Sequence, residues 1–434
     1  MSGGVSVGLV VNPVAGLGGA AGLKGSDGAE VQRAALARGA TPRAGERAAR
    51  AVRALLSRRP GTRLVTAPGP MGEHSARAAG APHDLVRSSR SAEPGPSGAT
   101  SARDTREAVL AMAGVDLLLF AGGDGTARDV LDAVRELRER GDRVPPVLGI
   151  PAGVKVYSGC FAVSPAAAGL LAAAYVSGAS AASGASGGSG TSGISGMSGR
   201  EPGRAALAEA EVVDLDEDRY RQGLVSPVLY GALPVPAAPA ALSGRKAGSS
   251  GTAPGTVEGI AREVVSRMRP GVRHVLGPGA TTRAVGRELG LATTLLGVDV
   301  VERDERDGAG GRLVAADVSE AELSGLVGGR ETVLVLSVIG GQGFVLGRGN
   351  QQGSPRVLRT VLGDAPGDAA GARTGRLLVL ATQQKLAALG GRPLLADSGD
   401  EDLDRMLAGH VQVITGYHES TIYRLSAASE ESNR

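Results

Sequence analysis

The chain has 434 residues, 42% of them hydrophobic, which is enough to build two cores. Its 47 Lys and Arg nearly cancel 44 Asp and Glu, and aromatics make up 2% with no Trp; there is no concentrated basic field and no stacking platform, so no nucleic acid partner is expected. The single cysteine, Cys160, excludes an internal disulfide and a cysteine-rich metal site and fits a reducing compartment, so a cytoplasmic location is the expectation.

Val5 to Val11 is a valine-rich run ending in Asn12-Pro13, which predicts a buried strand feeding a loop. Helical composition follows at 29–38 and 45–56, then a strand at 62–66 and a helix at 104–112. Val115 to Phe120 is the strongest strand, its apolar run nearly continuous as in a strand covered on both faces. Gly122-Gly123-Asp124-Gly125-Thr126, a helix at about 128–140 and a strand at 147–150 complete a strand-loop-helix-strand unit. This alternation predicts an α/β fold with a mostly parallel sheet, whose ligands collect at the carboxyl ends of the strands.

Residues 177–203 are almost all Ser, Gly, Ala and Thr, too poor in apolar side chains to offset the entropy of ordering, and predict a flexible insertion. A mobile loop is expected at about 234–256, rich in Pro, Ala, Gly and Ser. The second half resumes the alternation, with helices near 257–268 and 383–389 and strands at 274–276, 294–301, 332–339 and 377–381. No apolar stretch reaches the ~20 residues of a membrane span, and no cationic segment precedes the first apolar run, so neither a span nor a signal peptide is expected.

The GGDGT lies between a buried strand and a helix, where backbone N–H groups and the positive helix end can receive a phosphate. A carboxylate inside such a loop has some other role, whether orienting a hydroxyl, accepting its proton, holding Mg²⁺ or capping the helix. Two companions strengthen the phosphate reading. Asn12, in Asn12-Pro13-Val14-Ala15-Gly16, offers an amide to a phosphate or ribose oxygen, and Lys155, closing Gly149-Ile150-Pro151-Ala152-Gly153-Val154-Lys155, offers a point charge.

With these segments in view the sequence resembles the superfamily of NAD kinases, diacylglycerol kinases and sphingosine kinases. The resemblance is sharpest to its bacterial ATP-NAD kinase-like branch, which includes acetoin-catabolism accessory proteins. Residues 23–28, 120–129, 149–155, 340–352 and 411–417 carry it. It implies an NAD kinase-like N-terminal nucleotide-binding domain, placed at 1–165, and a second, acceptor-binding domain over 204–434, which the local pattern makes mixed α/β. It implies ATP and Mg²⁺ as cofactors, phosphorylation of the 2′-hydroxyl of NAD to NADP, Asp124 accepting or orienting the proton, and Gly122, Gly123, Gly125 and Thr126 along the phosphates.

The chain departs from that pattern in one place. NAD kinases carry an Asn-Glu pair after GGDGT, whereas the three asparagines here, Asn12, Asn350 and Asn433, are not followed by Glu. Candidates to replace it as acceptor-binding groups are Asn350 and Gln352, and Asp397 and Asp400, the last two also readable as Mg²⁺ ligands or as a turn and helix cap. Gly277 to Thr282 is a weaker phosphate-turn candidate, and the five histidines show no metal-ligand spacing. Two alternatives stay open: a lipid or small-alcohol kinase of the diacylglycerol kinase type, and a non-catalytic nucleotide-binding accessory protein. A homo-oligomer also stays open.

Overall fold

A computed structural model describes residues 5–23, 29–86, 100–153, 156–178, 206–215, 227–237, 254–304, 310–363 and 375–430. Lys155, residues 179–203 of the expected insertion and 238–253 of the expected mobile loop lie outside the described residues.

The first unit runs β1 (Ser6–Val11), α1 (Leu17–Ala20), α2 (Ala29–Ala37), α3 (Ala44–Arg58), β2 (Arg63–Thr66), α4 (Glu73–Ala78), β3 (His83–Leu85), α5 (Ala102–Leu110), β4 (Leu117–Gly122), α6 (Asp124–Arg140), β5 (Val147–Pro151) and α7 (Pro165–Val176). Its five strands lie in the order β3-β2-β1-β4-β5, and every pair is parallel. Alternate residues serve opposite faces. Val7, Leu9 and Val11 pack with Leu117, Leu119 and the apolar sides of α3 and α7; Val10, Leu118 and Phe120 pack with α5 and α6. Burial on both faces is why β4 reads as an unbroken apolar run. In the order β3-β2-β1-β4-β5 the carboxyl ends of β1 and β4 mark the switch point of the sheet, the position of the ligand crevice in other doubly wound sheets.

Capping sets the helix ends. Ser101 and Asp104 form a capping box at α5, Ser164 accepts from the Ala167 N–H with Pro165 at the first position of α7, and Gly141, at φ 74, closes α6. α6 begins at Asp124, four residues before the helical composition does, because the GGDGT motif itself supplies the first turn.

β6 (Leu207–Leu215) and β7 (Pro227–Pro236) form an antiparallel hairpin. The hairpin falls within the 204–434 stretch assigned above to the second domain, yet Val212, Leu233 and Val235 bury against Val130, Leu131 and Val134 of α6. The expected loop at 234–256 is corrected at both ends: Pro234 and Pro236 end β7, and Pro254 opens the next helix. A strand with an unpaired edge tolerates proline, and so does the first helical turn.

The second unit contains α8 (Pro254–Arg267), β8 (Arg273–Leu276), α9 (Ala280–Glu288), β9 (Asp299–Arg303), β10 (Gly311–Ala315), α10 (Glu320–Val327), β11 (Thr332–Ser337), β12 (Phe344–Leu346), α11 (Pro355–Leu362), β13 (Leu377–Leu380), α12 (Gln383–Ala387), β14 (Leu394–Ala396), α13 (Glu401–Leu407), β15 (Gly409–Gly416) and β16 (Glu419–Ala427). Its nine strands form one mixed sheet, β10-β9-β8-β11-β13-β15-β16-β14-β12, with parallel pairing at β8-β11-β13-β15 and an antiparallel β15-β16 hairpin. Helices pack against it, so the unit is mixed α/β as its sequence pattern predicts. Phe344, Leu395 and Ala428 from this unit enter the core beneath α3 and α7, which fixes the second unit on the first. Among the described residues no helix is long and apolar enough to cross a membrane.

Candidate active site at the strand ends

Three loops meet at the crevice. The Asn12 side chain donates from Nδ2 to the Thr126 hydroxyl at 3.0 Å and accepts the Val14 N–H at 3.2 Å, joining the end of β1 to the start of α6. The Gly122 carbonyl accepts the Ala152 and Gly153 N–H groups at 2.8 and 2.9 Å, tying GGDGT to the Pro151-Ala152-Gly153 turn. Gly16 sits at φ 77, and a Cβ there would collide with the Ala152 carbonyl oxygen, so only glycine lets the first loop press on the third. Gly16→Ala is therefore expected to lower stability by more than ~1 kcal/mol, from the left-handed backbone alone, and to loosen the crevice; an unchanged denaturation midpoint would show that the two loops need not touch.

Asp124 is the first residue of α6, but its side chain makes no helix cap, which sets aside the capping reading. Its carboxylate is 2% exposed and accepts the Tyr157 N–H at 2.8 Å, the Ser158 N–H at 2.9 Å and the Ser158 hydroxyl at 2.7 Å. That hydroxyl in turn accepts the Val213 N–H of the hairpin at 3.1 Å. Burial pushes the Asp124 carboxyl up to about 6, against the opposing pull of the Ser158 and Tyr157 hydrogen bonds and with help from the nearby charge of Asp214. The structure thus holds a carboxylate at the N-terminal end of a long helix, at a pKa suited to taking a proton near neutrality.

The segment carrying Tyr157 and Ser158 is also gripped by the second unit. Gln342 Nε2 donates to the Val156 carbonyl at 2.8 Å, and Arg348 Nη2 donates to the Val163 carbonyl at 3.2 Å. Arg47 of α3 donates from Nε to the Pro151 carbonyl at 2.5 Å and pairs with Asp397 at 2.5 Å, so one guanidinium clamps the end of β5 to the second unit. Burial disfavours the charge on Asp397, but the Arg47 guanidinium, together with the charges of Arg348 and Arg50, outweighs it and holds the carboxyl below its ordinary value. Arg47, Ser158, Gln342 and Arg348 are not singled out by the sequence. Gln342 and Arg348 stand in segments marked only by resemblance, and nothing in the spacing of Arg47 sets it apart from 42 other arginines.

Two family models match the chain, the ATP-NAD kinase N-terminal domain over residues 7–179 and the ATP-NAD kinase C-terminal domain over residues 270–425. The chain belongs to the NAD kinase-like family. No curated protein and no solved structure matches it. In this NAD kinase-like chain the first match contains all three crevice loops, the second contains Gln342, Arg348 and Asp397, and the β6-β7 hairpin falls between them.

Of the candidate acceptor residues of the NAD kinase-like chain, Asp397 is tied to the end of β5 through Arg47, and three of the four are spent internally. Asn350 donates to the Val345 carbonyl at 2.8 Å and accepts the Gly347 N–H at 2.9 Å. Asp397 is paired with Arg47. Asp400 caps α13 through the Asp402 and Leu403 N–H groups, as its turn-and-cap reading has it, and pairs with Arg359 at 2.8 Å. Gln352 differs, since its buried Oε1 has no hydrogen-bond partner among the described residues. Mg²⁺ favours carboxylate and water oxygens; both Asp124 oxygens already face N–H or O–H donors, Asp397 and Asp400 face guanidinium groups, and no cluster of three or more His, Cys, Asp or Glu occurs among the described residues. These side chains do not fit a magnesium site. At Gly277 to Thr282, Lys385 Nζ donates to the Thr281 hydroxyl at 3.2 Å and to the Ser337 hydroxyl at 2.9 Å, on the second sheet and apart from the three loops.

Proposed function

We propose that this chain transfers a phosphoryl group from ATP to the 2′-hydroxyl of NAD, with Asp124 taking the hydroxyl proton. The observation that carries this is the convergence of the Asn12, Gly122–Thr126 and Pro151–Gly153 loops around one buried carboxylate raised to about 6. The N-terminal turn of α6 receives the donor phosphates, and Asn12, Gly122, Gly123, Gly125 and Thr126 shape their seat. Lys155, two residues beyond Gly153, supplies a cation. The acceptor hydroxyl takes the place of the Ser158 hydroxyl on Asp124, its oxygen bonds to the transferred phosphorus as the bond to ADP breaks, and its proton passes to the carboxylate.

Two observations favour a second reading, nucleotide binding without turnover: the Asn-Glu pair is absent, and each Asp124 oxygen already accepts a hydrogen bond from the 157–158 segment. A lipid acceptor finds less support. A surface cavity of about 690 Å³ between α3 and α13 is lined by charged groups such as Arg43, Glu46, Arg50 and Arg405, and none of the three loops contributes to it.

The pH dependence separates catalysis from scaffolding. A carboxyl raised from 3.8 to about 6 keeps its proton in the folded chain where the unfolded chain has lost it. Its contribution to stability is fully present below 3.8 and is lost as pH rises through 6. Activity has the opposite sign, because only the ionised form accepts a proton. NADP formation should fall about tenfold per pH unit below ~6, and Asp404→Asn should keep that limb, although burial lifts Asp404 to about 6 as well. A wild-type profile flat from pH 5 to 7 would remove Asp124 from the role of base.

A further inference from the structure

Arg348 lies in the loop between β12 and α11 and is 6% exposed. Among the described residues only its Nη2 has a hydrogen-bond partner, the Val163 carbonyl; Nε and Nη1 are buried with none. The guanidinium stands over the Phe344 ring at 4.4 Å, close enough to Asp124, Asp397 and Arg47 to feel their charges, and burial lowers it only to about 10. It is therefore a cation at neutral pH. A charged group with two of its three nitrogens left without a hydrogen bond is among the least favourable things to bury, and in a native structure it calls for a partner. Asp397, the carboxylate whose charge raises Arg348 most, is already paired in two places with Arg47, and Asp124 is taken up by Tyr157 and Ser158.

Neighbouring amides point the same way. Gln351 and Gln352, in the same loop, each bury an Oε1 without a partner, so the loop closes on itself with its polar needs unmet. The segment that gives Arg348 its one partner, Val163, is the one that holds Asp124 through Ser158.

We propose that Arg348 is a phosphate-binding cation of this crevice, its Nε and Nη1 donating to phosphate oxygens once the Gly347–Gln352 loop shifts to admit them. The proposal rests on the phosphotransfer reading of the same site and adds to it a residue from the second unit. A planar fork of donors suits a phosphate, and a cation delivered across the crevice is the kind of group that stabilises charge on a transferred phosphoryl. The phosphate could come from the triphosphate of the donor or the diphosphate of NAD.

The test uses the full chain with tripolyphosphate, ATP and NAD as separate probes, read by thermal melting and calorimetric titration, for wild type, Arg348→Met and Arg348→Lys. Tripolyphosphate should raise the wild-type melting temperature. Arg348→Met should melt no lower than wild type without ligand, since it removes an unpaired buried charge, yet lose the tripolyphosphate shift. ATP, or NAD if the phosphate is the acceptor's, should bind ~10- to 150-fold more weakly. Arg348→Lys, which keeps charge but not the fork, should bind more weakly than wild type even if the Met variant does not fold. Unchanged tripolyphosphate, ATP and NAD binding in the Lys variant would overturn the proposal, and so would a Met variant that melts lower while keeping the tripolyphosphate shift, the mark of a structural pin. A wild type that binds tripolyphosphate through Arg348 but phosphorylates no acceptor would instead overturn the kinase reading and leave this site standing.

Discussion

Asp124→Asn is expected to lower phosphoryl transfer by ~100- to 10,000-fold, the usual contribution of a positioned acid-base group, while leaving the fold intact. The amide has the size of the carboxylate and keeps one oxygen for the Ser158 N–H and hydroxyl, which approach the same atom, Oδ1, at 2.9 and 2.7 Å. The Tyr157 N–H lies 3.0 Å from that oxygen but 2.8 Å from Oδ2, so it keeps only its longer hydrogen bond and faces the NH2 group that replaces Oδ2. The substitution also removes a buried charge whose desolvation dominates its titration, which offsets what weaker hydrogen bonds lose. The net loss of stability should stay within ~1 to 3 kcal/mol, with ATP affinity close to wild type. Retention of most of the transfer activity would reduce Asp124 to a residue that merely fastens the 156–158 segment.

The largest effect on stability is expected from Asp397→Ala. Removing one partner of a buried pair leaves the other charge uncompensated and typically costs about 3–5 kcal/mol. Here Arg47 would keep its bond to the Pro151 carbonyl but lose the carboxylate it pairs with at 2.5 Å, and Arg348 would lose the charge that most raises it. Because the Asp397 carboxyl is held below its ordinary value, its contribution is present at neutral pH and is lost as pH falls through its depressed folded value. Chemical denaturation of wild type and variant should show the gap at pH 7 and a smaller gap in acid. Equal midpoints at pH 7 would mean that the clamp between the two units contributes nothing.

Much of the first unit is legible in the sequence because its physics is local. β4 is apolar throughout since both its faces are covered, Gly122 of GGDGT leaves room for the Thr126 side chain, and Gly16 of NPVAG stands where backbone must approach backbone. Gly16 against the Ala152 carbonyl shows this most clearly. What the sequence could not supply depends on contacts across long separations. Asp397 reads as a metal or acceptor ligand until Arg47, 350 residues away, is seen beside it. Asn350 has the chemistry to read a base edge, and its own loop consumes it. The β6-β7 hairpin follows a long Ser/Gly stretch and contains three prolines, so composition alone hides a strand pair whose apolar face needs α6. Asp400 is the opposite case, a helix cap readable from four residues of sequence.

Whether the three loops and Asp124 carry out phosphoryl transfer to NAD is decided by incubating the purified chain with ATP, Mg²⁺ and NAD and identifying the product by mass, with Asp124→Asn and a panel of other hydroxyl acceptors run alongside. NAD should gain one phosphoryl group at the adenosine 2′-oxygen, with ADP released in equal amount and almost none of either in Asp124→Asn. Bound ATP with no phosphorylated NAD, or NADP formed equally well by Asp124→Asn, would refute this function for the site.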